Sequence, residues 1–132
     1  MSKSLIQTAN QSTQNVAENS IISLGSVQRR YGCNLRLSGN GIEVDGEGYY
    51  KIDASVSAAP TETGNVTVAI YSNGVQIPGA IAYASSTAGT SVVVPIVATV
   101  RQRCCDGAAN LTCVLVEGAG TVSNISVRVE KS

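Results

Sequence analysis

The chain has no histidine, no phenylalanine and no tryptophan, and only one methionine. Without histidine, the side chain that most often serves as general base near neutral pH is missing. No Gly-x-Ser-x-Gly elbow replaces it. Without Phe and Trp, a core must be built from Val, Ile, Leu, Ala and five Tyr. Charge is also scarce, with nine Lys plus Arg against nine Asp plus Glu. That balance excludes the basic stripe of an electrostatic nucleic-acid binder. Arg29–Arg30 and the Arg101/Arg103 pair are short local clusters only. No window approaches the ~18 apolar residues of a membrane span. The segment Met1–Ser2–Lys3–Ser4–Leu5–Ile6–Gln7 carries no apolar run of signal-peptide length. The expectation is synthesis in a cytoplasm without a signal peptide, and no membrane partner. A surface so poor in charge offers little repulsion against self-association.

Cysteine is present but does not define a framework. Cys33, Cys104, Cys105 and Cys113 lack a secretion context and the C-x₂₋₄-C spacing of a zinc site. Reduced thiols or buried small apolar groups are the first reading. A Cys33–Cys113 or Cys33–Cys104 bridge remains open. No metal and no cofactor is expected.

What the chain does have is alternation. After the Gly46–Glu47–Gly48 turn, Tyr50, Ile52, Ala54 and Val56 point one way while Tyr49, Lys51, Asp53 and Ser55 point the other. The same period of two recurs in Asn34–Leu35–Arg36–Leu37–Ser38, Asn65–Val66–Thr67–Val68–Ala69–Ile70–Tyr71 and the final run from Val122 to Glu130. Ser72–Asn73–Gly74 between two such runs predicts a tight hairpin. Gly39–Asn40–Gly41 predicts another, and Pro78–Gly79 reads as a further turn. Pro95 interrupts a β-branched run over 91–101, which predicts an edge strand or a bulge. About eight to ten short strands result, so the fold class is all-β, a sandwich or barrel. Alternation does not fix strand order, and an immunoglobulin-like sandwich stays open.

Residues 1–19 are polar, with Leu5, Ile6 and Val16 the sizeable apolar groups. Such a segment buries too little surface to offset its own ordering. It is expected to be an attachment arm or linker, docked on its own domain, on a neighbouring subunit or on a larger assembly. Residues 20–132 form the globular domain.

The acids Glu43, Asp45, Glu47 and Asp53 lie close in sequence. Paired carboxylates at a defined separation cleave glycosides. Here alternation puts Glu43 and Asp45 on one solvated face, so no catalytic residue is assigned. A calcium site at Asp45 or Glu47 is the weaker alternative. Loops on a rigid sandwich commonly carry recognition. The candidates are Thr61, Glu62 and Thr63, then Ser85, Ser86 and Thr87, then Arg103 and Asp106.

The order Gly46–Glu47–Gly48–Tyr49–Tyr50, then Ser72–Asn73–Gly74, then Asp106–Gly107–Ala108–Ala109–Asn110–Leu111 before a penultimate strand resembles the C1q/TNF-like jelly roll. The resemblance spans residues 21–130. The family often uses Phe in its core, and this chain has none. The resemblance implies a jelly-roll homotrimer with the last strand at the threefold axis. The expected trimer contacts are Ile125 and Val127 on that last strand, with Tyr49, Tyr50 and Tyr83, because Tyr suits an interface that is apolar at one end and wet at the other. The resemblance also implies a non-enzymatic surface knob, a bacteriophage capsid decoration or fibre tip, or a spore-surface trimer. Capsid or other virion proteins would be its partners through residues 1–19. A carbohydrate- or receptor-binding module acting through the loops, on a host surface glycan or receptor, is the alternative.

Overall fold

The computed structural model describes residues 4–103 and 107–131. Twelve strands and no helix appear among them. They are β1 (Leu5–Asn10), β2 (Gln14–Val16), β3 (Ser20–Ile21), β4 (Ser26–Tyr31), β5 (Leu35–Ser38), β6 (Gly41–Val44), β7 (Gly48–Pro60), β8 (Gly64–Ser72), β9 (Val75–Ser86), β10 (Val92–Gln102), β11 (Ala109–Glu117) and β12 (Gly120–Lys131). Two antiparallel sheets face each other. Sheet A has the order β10-β7-β12-β1-β4, with β2 also on β12. Sheet B has the order β5-β6-β11-β8-β9, with β3 also on β11. The chain passes repeatedly from one sheet to the other, and the fold is a jelly-roll β-sandwich.

Alternation explains the core. On β7, Tyr50, Ile52, Ala54, Val56 and Ala58 are buried and their neighbours are not. On β12 the inward set is Val122, Ile125, Val127 and Val129, with the register shifting between Val122 and Asn124. Tyr50 is the largest fully buried side chain. With no larger aromatic available, aliphatic residues fill the rest. A void of about 10 Å³ remains beside Ile52, Ile70, Cys113 and Val127.

The turn chemistry follows the sequence in most places. Asn73 and Gly74 both have positive φ, 51° and 84°, as a tight hairpin between β8 and β9 requires. Pro95 lies on β10, an edge strand of sheet A, opposite Ser55. An edge position tolerates its missing N–H. Pro78–Gly79 is not a turn. The pair lies within β9, where the pairing with β8 shifts register between Ala69 and Tyr71. Gly79, at φ 83°, absorbs the irregularity as a bulge.

The expected boundary at residue 19 does not mark a separate arm. β1 is an internal strand of sheet A, paired with β12 on one side and β4 on the other. β2 continues along β12 at the other end of that strand. Ile6 and Val16 are buried in the common core, and Leu5 is half-buried. Two hydrogen-bonded ladders supply what the polar side chains do not, and the segment needs few apolar groups to stay ordered. Ile6 and Val16 are therefore not free to anchor the chain elsewhere.

The Cys33–Cys113 bridge is also absent. Cys33 is exposed in the turn between β4 and β5, while Cys113 is buried on β11, and the two are not bonded to each other. Burial pushes the Cys113 thiol up to about 12. Cys104, Cys105 and Asp106 lie outside the described residues, and so does a bridge from Cys33 to Cys104.

Candidate functional site

Strand register sorts the loops between the two ends of the sandwich. β7 runs from Gly48, opposite Gln102, to Pro60, opposite Gly120. The loops 61–63, 87–91 and 118–119 therefore share one end with the turn at 17–19. Leu5 pairs with Glu130, and Tyr50 with Lys131, so both ends of the described chain lie at the other.

The loop end is tied together by hydrogen bonds between loops. Thr61 donates twice to the Ala119 carbonyl, from its N–H and from Oγ1, each at 3.0 Å. Gly89 N–H donates to the Pro60 carbonyl at 2.8 Å. Ala88 N–H donates to Thr63 Oγ1 at 3.1 Å. Ser86 Oγ donates to the Thr90 carbonyl at 2.6 Å, and Ser85 Oγ to Asn65 Oδ1 at 2.8 Å. The result is a polar cleft of about 460 Å³ lined by Glu18, Thr61, Glu62, Thr63, Asn65 and Glu117. No Lys or Arg lines it.

Six of the recognition candidates thus meet at one end: Thr61, Glu62, Thr63, Ser85, Ser86 and Thr87. Arg103 does not join them. It follows Gln102 at the opposite end, and Asp106 lies outside the described residues. Among the described residues no group of three or more acids or cysteines is placed to hold a metal ion. Glu43 is paired with Arg36 at 2.7 Å, and that bond raises the Arg36 pKa. Asp45 is exposed and holds the chain by its carbonyl.

The opposite end is organised by Tyr50 and Asn34. Tyr50 Oη donates to the Gly46 carbonyl at 2.9 Å, with the Asp45 carbonyl at 3.2 Å. Asn34 Nδ2 donates to the same Asp45 carbonyl at 2.6 Å, and Asn34 Oδ1 accepts from Ser4 Oγ at 2.9 Å. Gly46 has φ 108°, and a side chain there would strike the Asn34 amide. Burial, then the negative charge of Asp45, then Cys33 push the Tyr50 phenol up from its ordinary value.

The outer face of sheet A carries the expected trimer contact Tyr49, which is 54% exposed and sits under Arg101 at 5.7 Å. It does not carry Tyr50, Ile125 or Val127. Those three point into the sandwich, because residues sharing a strand parity share a face. Along edge strand β10, Val93 (56% exposed), Pro95 and Val97 (72% exposed) form an uncovered apolar stripe. Beside Pro95 the ladder presents Ser55, Ser126 and Ala9. The row of Val97 is charged, with Asp53 and Arg128, and Arg128 also bonds Glu130 at 2.7 Å. Val93 and Val97 were hidden in the sequence, because a β-branched run reads as buried on both sides.

Tyr83 belongs to the other face of the molecule. It is 70% exposed on β9, in sheet B, and shares no surface with Tyr49. Its row continues through Thr67 to Glu117. The next row is Ile81, Ala69, Val114 and Ile21. The row beyond is Gln76, Tyr71 and Thr112. Ala69 and Val114 are buried although they point outward, and Ile81 and Ile21 stand exposed on either side.

No family model matches the chain, and no curated protein matches it. Solved structures do resemble it. The globular domain of zebrafish complement 1qA superposes with a TM-score of 0.72 at 10% identity, covering 96% of this chain and 94% of that one. Murine APRIL at pH 5.0 gives 0.79 at 11% identity, covering 99% and 100%. PRD1 vertex protein P5 gives 0.64 at 14% identity, covering 97% and 96%. The fold is the C1q/TNF-like jelly roll, as the motif order suggested.

Proposed function

We propose that the chain is a non-enzymatic surface module that works as a homotrimer on a virion, either as a capsid decoration or as a fibre knob. The observation that carries the proposal is the stripe of Val93, Pro95 and Val97 on β10. An uncovered apolar stripe on a protein this poor in charge is stabilised by burial against a copy of itself. At about 25 cal/mol per Å² such burial is the main association term. The adjoining Ser55, Ser126 and Ala9 are small enough for close approach. Contacts move accordingly from Tyr50, Ile125 and Val127 to Val93, Val97 and Tyr49. The fold shared with a phage vertex protein supports a place on a virion. A module held by the end where Leu5 and Lys131 lie presents the cleft of Glu18, Glu62 and Glu117 outward. That geometry also favours the loops as a recognition surface for a host receptor.

Sedimentation at micromolar concentration tests the trimer. The native chain is expected at three times its monomer mass, and Val97→Glu is expected to shift it to monomer with its fold intact. A native chain that sediments as a monomer overturns the proposal.

A further inference from the structure

We infer that the outer face of sheet B, centred on Tyr83, is a binding platform for a neutral oligosaccharide. The ladder rows place Tyr83, Thr67, Ile81 and Ala69 on one surface, and Tyr71 and Gln76 lie on the same face beyond the register shift at Gly79. Within these rows no side chain is charged except Glu117 at the loop-end corner. The charges of this sheet's outer face lie to one side of these rows, on β5 and β6, where Arg36 is paired with Glu43 at 2.7 Å.

The chemistry of the face selects its occupant. A phosphate or other polyanion finds no cation in these rows, the Arg36 guanidinium beyond them is already paired with Glu43, and Glu117 repels it. A cationic ligand finds one carboxylate at a corner and none beneath it. What the face offers is an exposed phenol ring, a half-buried second one and a fringe of hydroxyl and amide groups. An exposed ring has an apolar face, and its hydroxyl remains a hydrogen-bonding handle. Pyranose rings match that combination. They present C–H groups on one face and hydroxyls around the rim.

The patch suits a small occupant. Four strands spaced ~4.8 Å apart span ~14 Å, and Thr67 to Tyr71 spans ~13 Å, so it covers ~200 Å². A short extended sugar chain fills it. The floor of Ala69 and Val114 between Ile81 and Ile21 gives that chain a shallow trough along the strands.

The inference is independent of the trimer, because sheet B points away from the β10 stripe. The test is titration calorimetry of the full chain against neutral cello-, malto-, xylo-, chito- and galacto-oligosaccharides. Binding of at least one is expected, weakened tenfold or more by Tyr83→Ala and by less than threefold by Tyr83→Phe, which keeps the ring. Tyr83 is exposed, so neither change threatens folding. No binding to any of these sugars overturns the inference, as does affinity unchanged in Tyr83→Ala. A change in oligomer mass in Tyr83→Ala also overturns it, by making this face a contact between copies. Sedimentation of the Val97→Glu variant reports on the trimer separately, so the two failures are distinguishable.

Discussion

Tyr50→Phe removes one oxygen from the best-buried aromatic position of the molecule, and its cost can be worked out from the contacts. Tyr50 Oη shares its proton between the Gly46 carbonyl at 2.9 Å and the Asp45 carbonyl at 3.2 Å. The Asp45 carbonyl keeps its bond from Asn34 at 2.6 Å in the variant. The Gly46 carbonyl loses its side-chain partner, but Gly46 is half-exposed and water can replace part of the bond. The ring itself stays packed. The loss is then one hydrogen bond without a fully buried orphan, about 1–2 kcal/mol. For a domain of this length that lowers Tm by roughly 3–10 °C. Urea denaturation should show an unchanged slope and a lower midpoint. Asn34→Ala shares the Asp45 carbonyl, so the double variant should depart from additivity by ~0.5 kcal/mol or more. Tyr49→Phe, on the exposed side of the same strand, is the control and should change stability by less than ~0.5 kcal/mol. If Tyr50→Phe matches that control, the phenol does not hold the turn and the account of this end is wrong.

Two further substitutions probe the interior. Thr8 Oγ1 is buried with no hydrogen-bond partner among the described residues. Thr8→Val keeps the shape and removes the unsatisfied group, so a gain of about 1–2 kcal/mol in urea denaturation is expected, and a loss would mean the hydroxyl has a partner. Cys113 has its pKa raised from 9.0 to about 12 by burial. Its contribution is fully present below pH 9 and fades as pH rises toward 12, because the unfolded thiol ionises first. Between pH 9 and 11 the native chain should lose ~2–3 kcal/mol more than Cys113→Val, read by denaturation at each pH. Parallel pH curves for the two proteins would refute the assignment.

The strand pattern was legible because alternation is a local property. Tyr50 and Tyr49 separate into buried and exposed by position alone, and the irregular start of the last strand was visible at Val122 and Ile125. Asn73–Gly74 named its hairpin because only residues that tolerate positive φ fit there. Pro78–Gly79 misled because the same φ that closes a turn also makes a bulge, and only the partner strand distinguishes them. Residues 5–10 misled for a related reason. A strand enclosed by two ladders is held mainly by its backbone, and side-chain polarity reports little about it.

The functional surface was less legible, for a topological reason. Parity tells which side chains leave the core, but a sandwich has two outsides. Tyr49 and Tyr83 are both exposed aromatic residues on alternating strands, and nothing local separates them. Only the crossing of the chain between sheets puts one beside Arg101 and the other beside Thr67 and Ile81. The same crossing gathers Thr61–Glu62–Thr63 with Ser85–Ser86–Thr87 and sends Arg103 to the far end. Ile125 and Val127 show the converse. Their parity already placed them inside, since a residue cannot fill its own core and also contact a copy. For a sandwich, interface candidates therefore belong to the wet parity of an edge strand, which is where Val93 and Val97 lie.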